Sequence, residues 1–169
     1  PPNSNVHNKT PRRQCSALRM SADDFIEAKY TEAAWSIIAS VTKVADYYQT
    51  QTVESPYLMD ILLNPTKHSA GDNAEAAKRV VDKILSSAGV DVKQLRKELE
   101  SYFSKQPKVN GDNTGQKQMG KTFGQVLETA RQTMSVLGDS FVSTEGLLLS
   151  LVKEDNEFTR DALLRQGIK

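Results

Sequence analysis

Residues 30–63 and 119–152 carry the same apolar pattern, 89 residues apart. Ile38, Val41, Ala45 and Tyr48 in the first stretch answer to Leu127, Ala130, Met134 and Leu137 in the second. Val53, Leu58 and Leu62 answer to Val142, Leu147 and Leu151. Steps of three, four and three residues mark one face of a helix; the short gap and second apolar cluster mark a turn into another helix. Repetition at this scale decides architecture before any single residue is read. One copy cannot bury its apolar face alone, and the other copy supplies the cover.

Local signals divide each copy into short helices. Thr31 is an N-cap, with Glu32 favouring the helix dipole, and the stripe through Ala34, Trp35 and Ile38 runs to about residue 49. Ser55 reads as the cap of a second helix with Pro56 in its first turn, ended by Asn64-Pro65. After a polar loop at 64–73, a third helix (Ala77, Val80, Val81, Ile84, Leu85) closes at Gly89. Asp91 opens a fourth, with Leu95, Leu99, Tyr102 and Phe103 inward. In the second copy a helix from Lys121 ends at Gly138, Ser143 caps the next, and a third containing Phe158 and Leu163 ends at Gly167. The offset falls to 78 there, from Leu85–Gly89 to Leu163–Gly167, and the 64–73 loop accounts for the change. A counterpart of the fourth helix is missing. No segment reads as a strand. The expectation is an all-α, pseudo-twofold duplicated bundle of about seven to eight short helices. Copy one spans residues 30–105, a linker 106–118, and a truncated copy two 119–169, after a basic leader at 1–28 expected to be disordered.

Composition narrows the function classes. Lys and Arg number 22 against 21 Asp and Glu, so no global charge points to nucleic acid. The distribution is uneven: residues 1–20 hold Lys9, Arg12, Arg13 and Arg19 and no acid, which suits the remainder of an organelle transit peptide. No apolar run reaches membrane-spanning length, so no membrane partner is expected. Cys15 is the only cysteine, and the fold must rest on packing. A chain that opens on Pro1 and stops at Lys169, just past a helix-ending glycine, is expected to be a piece of a longer protein.

Catalytic motifs are scarce. Gly115-Gln116-Lys117-Gln118-Met119-Gly120-Lys121-Thr122 satisfies G-x-x-x-x-G-K-[ST] letter for letter. In a phosphate loop Gly115 and Gly120 would free the backbone, Lys121 would reach the phosphates and Thr122 would hold magnesium. That geometry needs a buried strand leading into the loop, and Lys105–Thr114 is too polar to be one. The match is therefore read as spurious, and no cofactor or metal is expected in this piece. His7 and His68 lie in polar stretches without a second ligand at metal spacing. Trp35, Met134 and the Leu147–Leu149 cluster read as core.

Several phrases resemble one family. Thr31–Trp35, Val53–Met59, Ser87–Asp91, Gln106–Val109 and Gly138–Glu145 are similar to the double Clp N-terminal repeat domain, above all that of ClpB-type disaggregases. The resemblance covers residues 29–169. It implies a mobile, non-catalytic module, monomeric as a fragment, on a homohexameric AAA+ ring that uses ATP and magnesium in other domains. It also implies that the module engages unfolded or aggregated polypeptide, or alternatively docks adaptor or co-chaperone proteins as in ClpA/ClpC-type unfoldases. The organellar location expected from the leader is the plastid stroma, with the mitochondrial matrix or cytosol as alternatives. The family's substrate-handling positions map onto Thr31, Asp139 and Glu145. Each also has a local role open to it, as cap, turn residue or first-turn acid. A binding groove, as a contiguous exposed apolar patch, is expected between the copies near Thr133, Leu137 and Leu148. Two departures touch that groove: Gly146 follows Glu145 where the family is bulkier, and Pro56 stands at the matching place in copy one.

Overall fold

The computed structural model describes residues 18–19, 27–109 and 116–168. Those residues form seven α-helices: α1 (Glu32–Tyr47), α2 (Ser55–Leu63), α3 (Asp72–Ser87), α4 (Val92–Ser104), α5 (Lys121–Leu137), α6 (Thr144–Glu154) and α7 (Thr159–Arg165). Three caps fall where the residue types put them. Thr31 Oγ1 accepts from Ala34 N–H, Asp91 from Gln94 N–H and Ser143 from Gly146 N–H. Gly138 ends α5 at φ +75°, a left-handed conformation that side chains resist.

Hydrogen bonds express the twofold relation directly. Thr31 N–H donates to Val142 O (3.0 Å), and Gly120 N–H donates to Val53 O (2.8 Å), the same bond with the copies exchanged. Tyr30 bridges Val142 just as Met119 pairs with Val53. Thr50 N–H to Ala45 O is repeated by Asp139 N–H to Met134 O, and Gln49 occupies the left-handed position of Gly138 at φ +57°. Each copy thus reaches into the other. One hydrophobic core runs through both, from Ile37, Leu58 and Leu62 to Phe123, Leu127 and Leu151, all fully buried.

Three local expectations are corrected. Short strands exist: β1 (Leu18–Arg19), β2 (Thr52–Val53) and β3 (Lys117–Met119) form a parallel sheet in the order β1-β3-β2. Two or three residues are too few to display an alternating pattern, and the pairing joins segments far apart in sequence. Leu18–Arg19 come from the leader and Lys117–Gln118 from the linker. The other leader residues up to 26, Cys15 and His7 among them, lie outside the described residues, as do 110–115. Ser55 is not a cap: Glu54 holds that place without a side-chain bond, and the buried Ser55 hydroxyl donates to Asp155 Oδ1 (2.9 Å) across the two copies. The 64–73 segment is not loop throughout, since α3 already begins at Asp72. It contains a 3₁₀ turn at Thr66–His68, and His68 is buried with Nε2 2.8 Å from Asp60 Oδ2. Trp35 is half-buried against the core, its ring 5.9 Å from that of Tyr30.

Candidate functional site

The last turns of α5, the connection 138–143 and the first turns of α6 enclose a groove of about 370 Å³. Thr133 and Leu137 reach it from α5, four residues apart on one face; Glu145 and Leu149 do the same from α6. Ala130 and Val142, both buried, form the floor. Leu137, Phe141 and Leu149 stay 66%, 52% and 55% exposed, and Val136 beside them 86%. Asp139 and Glu145 are the only charged side chains in the lining, so an apolar surface carries an acidic rim. Exposed apolar residues scattered singly are ordinary, whereas a contiguous patch around a concavity marks a contact surface.

Thr133, Leu137, Asp139 and Glu145 line this groove, which lies within copy two rather than between the copies as expected; two other candidates do not line it. Leu148 is 4% exposed and faces the core, and Leu149 takes the place foreseen for it. Thr31 lies beside the groove through its bond to Val142, but its hydroxyl is engaged as the α1 cap. Phe141 and Leu149 were not foreseen as groove residues. Met134, expected in the core, is half-buried and lines the groove as well.

The phosphate-loop pattern folds into something else. Lys117–Met119 is β3, and only Gly120 separates it from α5, so the residues that should form the loop are extended. A Cβ at Gly120 would meet only the flexible end of the Glu54 side chain, which would have to swing away. Lys121 and Thr122 are ordinary first-turn residues, and Thr122 Oγ1 lies 3.4 Å from Glu157 Oε1. Gly115 is outside the described residues. Burial, then the nearby charges of Glu157 and Asp155, push the Glu54 carboxyl above its ordinary value. Among the described residues no group of three or more His, Cys, Asp or Glu could hold a metal ion, and no helix is long and apolar enough to cross a membrane.

The family description "Clp repeat (R) N-terminal domain" matches residues 29–166, which includes both copies and the groove. The chain belongs to this family. Among its relatives, the chaperone protein ClpB2, chloroplastic, of Oryza sativa is 33% identical over 150 residues, 89% of this chain and 14% of that protein. ClpB 1 of Synechococcus elongatus is 34% identical over 141 residues, 83% of this chain and 14% of the relative. ClpB4, mitochondrial, of Arabidopsis thaliana is 30% identical over 158 residues, 92% of this chain and 15% of the relative. The chain therefore spans about a seventh of these relatives and corresponds to a ClpB-type N-terminal domain. Among solved structures, the Hsp104 N-terminal domain of Candida albicans superimposes with a TM-score of 0.65 at 17% identity, over 83% of both chains. The N-terminal domain of ClpD from Arabidopsis thaliana gives 0.55 at 16% identity, over 85% of this chain and 91% of that one. At such identities the agreement concerns the fold alone.

Gly146 lines the groove at the first turn of α6. A Cβ at Gly146 would meet only Ser143 Oγ at 3.7 Å and Val142 Cγ1 at 3.9 Å, ordinary contact distances. Packing does not require glycine there; its effect is to leave the groove open beside Leu149.

Proposed function

We propose that this domain captures unfolded or aggregated polypeptide for a ClpB-type disaggregase, with the α5–α6 groove as its contact surface. The observation that carries this reading is the exposed trio Leu137, Phe141 and Leu149 around a cavity rimmed by Asp139 and Glu145. An exposed apolar groove takes up apolar segments that a folded protein would hide, and burial of each large side chain contributes about 1.5–3 kcal/mol. Several such contacts less the ordering cost of the bound chain leave weak, reversible binding. That suits a module that hands its cargo on. ATP hydrolysis with magnesium and assembly into a hexamer are assigned to the remainder of the longer protein, and the isolated domain to a monomer. The acid-free basic leader supports delivery to an organelle, and we favour the plastid stroma.

Titration with reduced, carboxymethylated lactalbumin tests the reading. Binding is expected to saturate in the micromolar range and to weaken at least tenfold, about 1.4 kcal/mol, in Leu149→Asp with helicity unchanged. Undetectable binding at millimolar protein, or equal binding by the variant, would refute it. Capture of a folded adaptor alone would point to docking of the ClpA/ClpC kind.

A further inference from the structure

Leu18–Arg19 belong by sequence to the basic leader and by structure to the folded domain. They pair with β3, which lies between β2 and β1. On the β2 side Gln118 N–H donates to Gln51 O (2.9 Å) and Gly120 N–H to Val53 O (2.8 Å). Backbone groups alternate in direction along a strand, so Lys117 O and Met119 N–H turn to the opposite edge. β1 closes that edge in parallel register, with Leu18 opposite Lys117 and Arg19 opposite Gln118. In this register Arg19 is the residue whose own N–H and carbonyl turn toward β3, between Lys117 O and Met119 N–H. The strand so covered is tied to both copies. Lys117 is buried, its Nζ donating to Thr50 O (2.9 Å) and lying 2.9 Å from Asp46 Oδ1 at the end of α1, while Gly120 leads β3 into α5.

A change in composition falls at the same place. Before Leu18 the chain holds Lys9, Arg12 and Arg13 and no acid; soon after Arg19 come Asp23, Asp24 and Glu27. The acid-free character that suits a targeting segment therefore fades just past the pairing. We propose that proteolytic maturation of the leader stops short of Leu18, and that Leu18–Arg19 stay in the mature chain as the third strand of the sheet. The claim rests on delivery to an organelle, with the leader trimmed there, and adds the limit of that trimming. A peptidase must draw the chain around the scissile bond into its own cleft, and backbone already paired in a sheet has first to be pulled free. Retention also has a use. Without β1, Lys117 O and Met119 N–H would stand on an open sheet edge, a template on which another chain can pair. In a module that handles unfolded polypeptide such an edge would hold any extended segment by its backbone, and the retained strand keeps it closed.

Two measurements on the whole chain test the strand and the processing limit separately. In thermal melts Arg19→Pro, which deletes the N–H turned to Lys117 O, is expected to lower Tm by about 2–4 °C relative to Arg19→Ala, which keeps it. Equal melting of the two variants would overturn the retained strand. The unaltered chain is then incubated with a chloroplast stromal extract that cuts a control precursor, and the N-terminus of the product is read by mass spectrometry. The expected product begins at or before Leu18. A product that lacks Leu18 would overturn the proposal and leave delivery to an organelle standing. A chain that stays uncut would overturn the processing limit together with the delivery on which it rests; the proline comparison would still decide whether β1 is part of the fold.

Discussion

Glu54 shows how a single residue couples the two copies. It caps α2 by position, yet its carboxylate lies over Gly120 at the start of α5 and faces Glu157 and Asp155. Burial and those charges raise its pKa above 4.5, so the folded state binds this proton more tightly than the unfolded chain does. The group's contribution is fully present below pH 4.5 and is lost as pH rises through the raised folded value. Glu54→Gln is accordingly expected to raise Tm at pH 7 by about 1–2 °C, an effect of roughly 0.5 kcal/mol after solvent screening. The gain should vanish below pH 4.5; thermal melts of both proteins across that range check the sign. Residues of this kind were not legible in the sequence. Nothing local to Glu54 or His68 announces burial, and His68 is inside only because Asp60 receives it and Tyr47 packs on its edge. Burial lifts the Tyr48 hydroxyl to about 12, with the Lys67 hydrogen bond opposing.

Helices were the most legible elements, because their caps and period are local. Thr31, Asp91, Ser143 and Gly138 act as their residue types predict. Faces were less legible. Leu147, Leu148 and Leu149 are consecutive and cover three directions around α6, so periodicity cannot choose the exposed one. Packing of α6 against α5 and α3 decides it, burying Leu147 and Leu148 and leaving Leu149 out. Strands were invisible at two to three residues each. Thr31 tests whether an element's cap is also part of the site. Since its oxygen already accepts from Ala34, Thr31→Ala is expected to lower stability by about 1 kcal/mol and to leave polypeptide affinity unchanged. Urea unfolding and lactalbumin titration of the same variant separate the two; a tenfold loss of affinity would return Thr31 to the site.

The molecule as a whole packs two similar halves around one shared core. The copies exchange backbone bonds at Val53 and Val142, share the buried Ser55–Asp155 bond, and join α4 to α7 through Arg165–Glu98 and to the turn before α7 through Tyr102–Glu157. A fragment of residues 29–109 would leave Val53, Leu58 and Leu62 without their cover. It is expected to melt without a cooperative transition, whereas the whole chain gives a single one; calorimetry and circular dichroism distinguish these outcomes. The sequence by itself determined that the chain is a duplicated set of short helices, and where most of them start and stop. Those properties depend on residue type and spacing within a few turns. Only the tertiary structure decided which apolar side chains stay outside to form the groove, that the phosphate-loop lookalike is a strand, and that His68 is buried. Each of these depends on which distant residue arrives as a neighbour, and a periodic pattern carries no record of that.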